Sequence, residues 1–193
     1  MEQQNKLFMV LLGSRPKGRL TEQHDIFFGI GSTLAALIPQ MKLFWPEAKG
    51  KFHIDVWREV TSVEQYKIEV IPRNKVTKRN SQLFFINLGG YKQNEFDELH
   101  HKILTVANSK AEAIQNAKKT PFYKEATFKG ASSHIDDKFG VDIDDCYAIS
   151  DILDLNYRTE FALKISHAET KTNDDELHIG YLKLEKLIQN GKE

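Results

Sequence analysis

Apolar and polar residues alternate in short blocks along this 193-residue chain. Two of the blocks, at 7–12 and 83–88, are compact apolar runs that each end at a glycine, a pattern typical of buried strands. Each is followed by a second run, at 24–30 and 102–107, that is apolar and β-branched or aromatic. The pattern therefore predicts a pair of strands near the start of each half of the chain.

Helical signals follow each pair of strands. In the second half, Ser109 and Glu112 have capping-box spacing, in which each side chain satisfies a free backbone N–H, and Pro121 ends the predicted helix. In the first half, Ser32 is predicted to cap a helix with a one-sided apolar face, which Pro39 kinks or breaks early. Third and fourth strands are predicted at 52–60 and 66–71, and at 133–141 and 147–153.

The last forty residues also carry a strand pattern. Apolar segments at 161–166 and 177–184 flank a polar turn, and a short helix is predicted at 184–188. We expect the two strands to form a hairpin that covers the edge of a sheet, because uncovered edges invite aggregation.

The two halves match at a constant spacing. The sequence LFMVLLGS begins at Leu7 and LFFINLGG begins 76 residues later, and the same shift relates His24 to His100. The tripeptide HID recurs at His53 and His134, a shift of 81, so the two blocks are collinear with one five-residue insertion. Because loops tolerate such insertions, the sequence predicts that one module was duplicated.

These elements predict an α+β fold. We expect two tandem, pseudo-symmetric β-β-α-β-β repeats with a mainly antiparallel sheet, since the gaps between runs suit turns rather than crossover helices, plus the C-terminal β-hairpin. The predicted boundaries are a first repeat at 1–72, a linker at 73–82, a second repeat at 83–155 and a C-terminal hairpin extension at 156–193.

Composition is that of an ordinary globular protein. Apolar residues make up 40% and charged residues 28% of the chain, and 27 basic residues balance 27 acidic ones. A chain without basic excess is not expected to bind nucleic acid. The single cysteine, Cys146, excludes an intramolecular disulfide and a cysteine-rich zinc site. The apolar runs are too short for a signal peptide or a membrane span, so the cytoplasm is the expected location.

Several longer motifs resemble a known family. The first copy carries EQHDIFF, FWPEA and HIDVWREV, and the second carries LGGYKQNEFDELHHKIL, SKAEAIQNAKKTPFY and FKGASSHIDDKFGVDIDDCY. These residues resemble a bacterial family known as domain of unknown function 1543, over nearly the whole chain. The resemblance implies a cytoplasmic bacterial protein with tandem architecture, and it implies no activity.

Acid–histidine couples are the main candidates for chemistry. Glu22 and His24 are two residues apart, so they share one face of a strand, and the second copy repeats the couple. A carboxylate beside an imidazole can make it a proton acceptor or a metal ligand. The alternative is structural, because a half-buried histidine needs a hydrogen-bond partner. With their neighbours, the candidates of this group are Glu22, His24, Asp25, Glu98, His100 and His101.

A second set of couples lies on the predicted third strands, at His53 with Asp55 and at His134 with Asp136. Simple alternation places His53, Asp55 and Trp57 on the face opposite the apolar row. If third strands lie near second strands, the couples of both copies could gather around a pseudo-twofold axis as an acid–base site or a zinc, manganese or iron site. The spacing H-E-x-x-H of a recognised zinc motif does not occur.

A basic turn, GSRPKGR at 13–19, follows the first strand. Arg15, Lys17 and Arg19 could hold a phosphate there, although the Gly-Lys-Ser/Thr ending of a P-loop is missing. A solvated turn between strands is the simpler interpretation.

The function that we predict from these observations is a non-enzymatic binding or interaction module. The alternative is a metal-dependent or acid–base enzyme, hydrolase-like, that uses the repeated Glu–His and His–Asp couples. No cofactor is expected, with a divalent metal left open. The expected partner is an unidentified small molecule or protein, neither membrane nor nucleic acid, and a homo-oligomer is left open.

Overall fold

The computed structural model describes residues 4–76, 81–91, 94, 96–121, 146–169 and 173–190. The chain divides into two compact units. The first unit combines Met1–Val76 with Leu153–Glu193, and the second is Thr77–Ile152. The C-terminal segment therefore belongs to the same unit as the N-terminal half.

The first unit is built on a four-stranded antiparallel sheet. Its strands are β1 (Lys6–Ser14), β2 (Gln23–Gly31), β3 (Phe52–Glu59) and β10 (His178–Lys183), in the order β10-β3-β1-β2. The core face of this sheet carries Phe8, Val10, Leu12 and their cross-strand partners. The opposite face carries Gly13, His24 and His53, and we call it the site face.

A helix covers the core face. A 3-10 turn at Ala35–Leu37 leads into α1 (Ile38–Phe44), and a second 3-10 turn follows at Pro46–Ala48. Met41 and Leu37 are fully buried against the strand residues of the core face. Each such side chain contributes about 1.5–3 kcal/mol through burial.

The predicted start of this helix needs a correction. Pro39 lies in the first turn of α1, where its missing N–H costs nothing, so the α-helix begins late rather than kinking. Ser32 does not cap it. The Thr33 hydroxyl instead accepts a hydrogen bond from the Ala36 N–H, at 3.2 Å.

A second, three-stranded sheet completes the first unit. It contains β4 (Ser62–Val63), β5 (Tyr66–Pro72) and β9 (Phe161–His167), in the order β4-β5-β9. The 3-10 turn Arg73–Lys75 follows β5, and the helix α4 (Leu155–Glu160) precedes β9.

The C-terminal strands form where the sequence predicts them, but they do not pair with each other. β9 pairs with β5, and β10 pairs with β3, so the predicted hairpin is corrected to two separate strand additions. β10 does cover a sheet edge, that of β3. The chain then ends its described part in the helix α5 (Leu184–Asn190).

The second unit contains the antiparallel sheet β7-β6-β8. Its strands are β6 (Gln82–Tyr91), β7 (Glu98–Ala107) and β8 (Cys146–Ala148). The helix α2 (Lys110–Ala117) buries Ala113, Ile114 and Ala117 against the sheet.

The predicted cap of α2 is present. The Ser109 hydroxyl accepts from the Glu112 N–H at 3.2 Å, and the Glu112 carboxylate accepts from the Asn108 N–H at 2.8 Å. The predicted fourth strand is shorter than expected, because β8 gives way to the helix α3 (Ile149–Ile152). The predicted third strand, 133–141, lies outside the described residues.

The first two strands of each unit pair in the same register. Gly13 lies opposite His24 in β1–β2, and Gly89 lies opposite His100 in β6–β7. This agrees with the 76-residue shift read from the sequence, although the duplication itself stays a prediction. The fold is mixed α+β with mainly antiparallel sheets, as predicted. None of the described helices combines the length and the apolar character needed to cross a membrane.

An ion-pair triad between β5 and β9 gives the first testable prediction. The Glu69 carboxylate accepts from the Lys67 ammonium at 2.9 Å and from Lys164, its direct cross-strand partner, at 3.1 Å. These hydrogen bonds lower the pKa of Glu69 from its usual 4.5. The stabilisation is therefore present above that value and is lost as the pH falls through the lowered pKa.

We expect Glu69→Gln to reduce the free energy of unfolding by about 0.5–1 kcal/mol near neutral pH, because both lysines are half exposed and the pairs are screened. Urea unfolding of the wild type and the variant at about pH 7 and about pH 3 measures this loss. The difference in free energy of unfolding between the two proteins should shrink at the lower pH. Glu47→Gln, an exposed carboxylate in a 3-10 turn, is the matched control. A loss of equal size at both pH values would contradict the ionic origin.

Candidate functional site

Gly13 lies between two histidines on neighbouring strands. On β1 it is opposite His24 of β2 on one side and opposite His53 of β3 on the other. Residues paired across a sheet direct their side chains to the same face. Because Gly13 has no side chain, the two imidazoles face each other across an open position on the site face.

Asp55 lies at a β-bulge, two residues after His53 and on the same face of β3. β1 pairs Leu11 with Val56 and Leu12 with Ile54, which leaves Asp55 as the extra residue of β3. An extra residue bends its strand, and bulges of this kind often lie beside functional sites.

The bulge also reverses the alternation beyond it. Trp57 was expected on the face of His53, but it packs on the core face, with its ring centroid 6.1 Å from that of Phe8. That expectation is wrong, because a period of two fails at an inserted residue.

Four side chains meet on the site face, and we call them the acid–imidazole cluster: Glu22, His24, His53 and Asp55. The His53 Nε2 atom lies 3.2 Å from Asp55 Oδ1 and 3.6 Å from Glu22 Oε1. The His24 Nε2 atom lies 3.3 Å from Asp55 Oδ2 and 3.8 Å from Glu22 Oε2. Each carboxylate is thus within ion-pair distance of both imidazoles.

Burial differs sharply within the cluster. The His53 side chain is 8% exposed, whereas those of His24 and Glu22 are 44% and 45% exposed. The Tyr181 ring of β10 covers His53, with ring centroids 4.1 Å apart. His53 is therefore held in place on the side of the cluster that faces β10.

Two buried atoms of the cluster lack aligned hydrogen bonds: His53 Nε2 and Asp55 Oδ2. A buried polar atom without a hydrogen bond is costly. Opposite charge offsets that cost, and the charge on an imidazole exists only when it is protonated. The cluster thus surrounds these atoms with partners that become oppositely charged when an imidazole is protonated.

A pocket of about 600 Å³ lies beside the cluster. His53 and Glu22 line it, so the cluster and the pocket are continuous. The ends of β1, β3 and β10 and the helices α1 and α5 supply the rest of its wall. Its charged side chains are Arg15, Lys42, Lys51, Lys183, Glu22 and Glu185.

One hydrogen bond fixes part of the wall. The Ser14 hydroxyl, buried at the end of β1, donates to the Lys51 carbonyl at 2.7 Å. This bond ties the residue before β3 to the end of β1, so the Lys51 backbone has a defined position at the pocket.

The other candidates from the first copy lie elsewhere. Asp25 is opposite Leu12, on the core side of the sheet, and its carboxylate accepts from the Ile26 N–H at 2.7 Å. Burial raises the pKa of Asp25. Lys17 and Arg19 are exposed and do not line the pocket, whereas Arg15 does.

In the second copy, both candidate histidines of the first group lie on β7. His100 lies opposite Gly89, and burial together with Lys102 lowers the pKa of His101. The side chain of Glu98, and both His134 and Asp136, lie outside the described residues.

No metal site emerges within the described ranges. There, no group of three or more His, Cys, Asp or Glu side chains is placed to hold a metal ion. Cys146 is buried, and burial raises the pKa of its thiol, which disfavours the reactive thiolate.

Gly13 gives the second testable prediction. A Cβ atom there would overlap His53 Nε2 and would lie 2.7 Å from Asp55 Oδ2, and the His53 side chain is buried, with Tyr181 against its ring. We expect Gly13→Ala to lower the free energy of unfolding by about 1–3 kcal/mol, as overpacking does. Thermal or urea unfolding measures the loss.

A double-mutant cycle with His53→Ala provides the control. If the cost arises from the imidazole, Gly13→Ala should cost less than half as much in the His53→Ala background. Additive effects would show that the glycine is needed for another reason.

Comparisons with known proteins agree with this architecture. The chain is similar in fold to the crystal structure of a protein Il1583 from Idiomarina loihiensis, with a TM-score of 0.61 and 19% identity over 93% of this chain and 97% of that one. No curated protein matches the sequence. Residues 19–70 match the family model of Domain of Unknown Function (DUF1543), and this segment contains all four members of the acid–imidazole cluster. The resemblance to domain of unknown function 1543 is therefore confirmed over residues 19–70.

Proposed function

We propose that the first unit is a binding module for a small anionic molecule. The pocket beside the acid–imidazole cluster holds the ligand, and its size of about 600 Å³ falls within the range of small-molecule sites. This assigns the predicted binding function to one place on the chain.

The charge of the pocket carries the proposal. Four cationic side chains line it, from Arg15, Lys42, Lys51 and Lys183, against the carboxylates of Glu22 and Glu185. The whole chain, by contrast, has no net charge. A local cationic excess inside a concave site favours an anion, because several fixed positive charges act on one ligand at short range.

The same features favour a small molecule over nucleic acid. The four cationic residues line one pocket of about 600 Å³ at the ends of several elements. Nucleic-acid binding instead uses an extended basic face that follows a phosphate backbone.

An acid–base enzyme is the second candidate, favoured by one observation. His53 lines the pocket while carboxylates contact its Nε2 atom, and a carboxylate-oriented imidazole is a common general acid or base. A ligand that copurifies with the chain and is recovered unchanged after prolonged incubation would count against this candidate. Its His53-dependent conversion, followed by mass spectrometry, would support it.

Anion binding gives the third testable prediction. Calorimetric titration with inorganic sulfate and with pyrophosphate should show one site on the wild-type chain. The double substitution Lys51→Gln with Lys183→Gln should lower the affinity for either anion by about tenfold or more, because each charge-assisted contact contributes about 1.5–3 kcal/mol.

The matched control is Lys17→Gln. Lys17 is an exposed lysine of the basic turn at 13–19, and it does not line the pocket. Its affinity should stay within about twofold of the wild type, as for an exposed charge. Equal weakening by Lys17→Gln, or no binding of either anion to the wild type, would overturn the proposal.

A further inference from the structure

We propose that His53 is a direct ligand of the bound anion and that it binds in the imidazolium form, so that anion binding takes up a proton. This inference rests on the proposed anion pocket, and it names the group that recognises the ligand and the state in which it does so.

The position of His53 is the first argument. It is the member of the cluster that is both deeply buried and part of the pocket wall, with 8% of its side chain exposed. The Tyr181 ring lies against one face of the imidazole at a tilt of 33°, with ring centroids 4.1 Å apart. The edge of the imidazole, rather than this face, is therefore available to a ligand.

The orientation of the ring is the second argument. Its Nε2 atom is buried and faces Asp55 Oδ1 at 3.2 Å and Glu22 Oε1 at 3.6 Å. The remaining nitrogen, Nδ1, is then the one left to meet a ligand. In the imidazolium form both nitrogens carry a proton, so Nε2–H faces the carboxylates while Nδ1–H donates to the anion.

Charge balance is the third argument. With neutral imidazoles the cluster carries the two negative charges of Glu22 and Asp55, and Glu22 itself lines the pocket. An arriving anion would meet that negative field. Protonation of His53 reduces it and adds a donor, so the anion and the proton favour each other's binding, as linkage requires.

Groups from every surrounding element act on this equilibrium. The carboxylates of the cluster favour the imidazolium, and the pocket cations oppose it until an anion neutralises them. The groups that face His53 and the pocket are Arg15 after β1, Glu22 and His24 before and on β2, Lys42 on α1, Lys51 before β3, Asp55 on β3, Tyr181 and Lys183 on β10 and Glu185 on α5.

The test is calorimetric titration with sulfate in two buffers that have different heats of ionisation. Sulfate remains a dianion throughout the neutral range, so any proton taken up must bind to the protein. The buffer dependence of the heat gives the number of protons per anion at about pH 6, 7 and 8. We expect net uptake approaching one proton, with affinity falling by up to about tenfold per pH unit where the uptake is largest.

Two variants locate the proton. His53→Gln should abolish the uptake, whereas His24→Gln, at an exposed position outside the pocket wall, should retain most of it because the proton is held on His53. His167→Gln on β9 is the control, since it removes an exposed histidine outside the cluster and should leave the uptake unchanged.

Each outcome decides a different claim. Sulfate binding without proton uptake, or with uptake that survives His53→Gln in a variant that still unfolds cooperatively, overturns the role of His53 and leaves the anion pocket standing. Absence of sulfate and pyrophosphate binding to the wild type overturns both proposals. Loss of uptake in His53→Gln, with the His167→Gln value unchanged, supports both.

Discussion

The contact on which the site depends is the approach of two imidazoles and a carboxylate over the backbone of Gly13. Neighbouring strands are about 4.8 Å apart, so residues on β2 and β3 are separated by about twice that distance across β1. Any side chain on β1 at this point would fill the space between them. Because a Cβ atom on Gly13 would overlap His53, the absence of a side chain is what allows the acid–imidazole cluster to close.

Two further features hold the cluster in this arrangement. Alternation along β3 places Asp55 on the face of His53, within ion-pair distance of both imidazoles, and β10 adds the ring of Tyr181 over His53. β10 also docks through a ring stack, in which the centroid of the His178 ring lies 3.9 Å from that of Trp57. The bulge shifts the alternation after Asp55, so Trp57 lies on the core face, where this stack forms.

Part of this arrangement could be read from the sequence. The Glu22–His24 spacing, followed by apolar residues of period two, predicts a couple on one face of a strand, and the register places His24 there. The Gly that ends each first strand was visible as well. The space that Gly13 leaves between two histidines could not be predicted, because it depends on which strands flank β1. Neighbours in a sheet are set by long-range packing rather than by local pattern.

The bulge in β3 and the pocket could not be predicted from the sequence, because both depend on long-range packing. The bulge at Asp55 leaves no signature in a period-two pattern, so Trp57 was placed on the wrong face. The pocket draws Lys42, Lys51 and Lys183 from a helix, a loop and a distant strand. Only the fold brings such residues together, and the basic turn at 13–19 contributes Arg15 alone to that wall.

The site is completed by the C-terminal segment of the chain. β10 supplies Tyr181 and Lys183 to the first unit, while the described strands of the second unit form a sheet of β6, β7 and β8 without a C-terminal strand. At the 76-residue shift, Arg15 corresponds to Tyr91, so the sequence of the second copy does not repeat this cation. A shared hairpin register therefore does not give equal chemistry. The strand added to the edge of β3, more than the repeated couple itself, is what completes the wall of the pocket in the first unit.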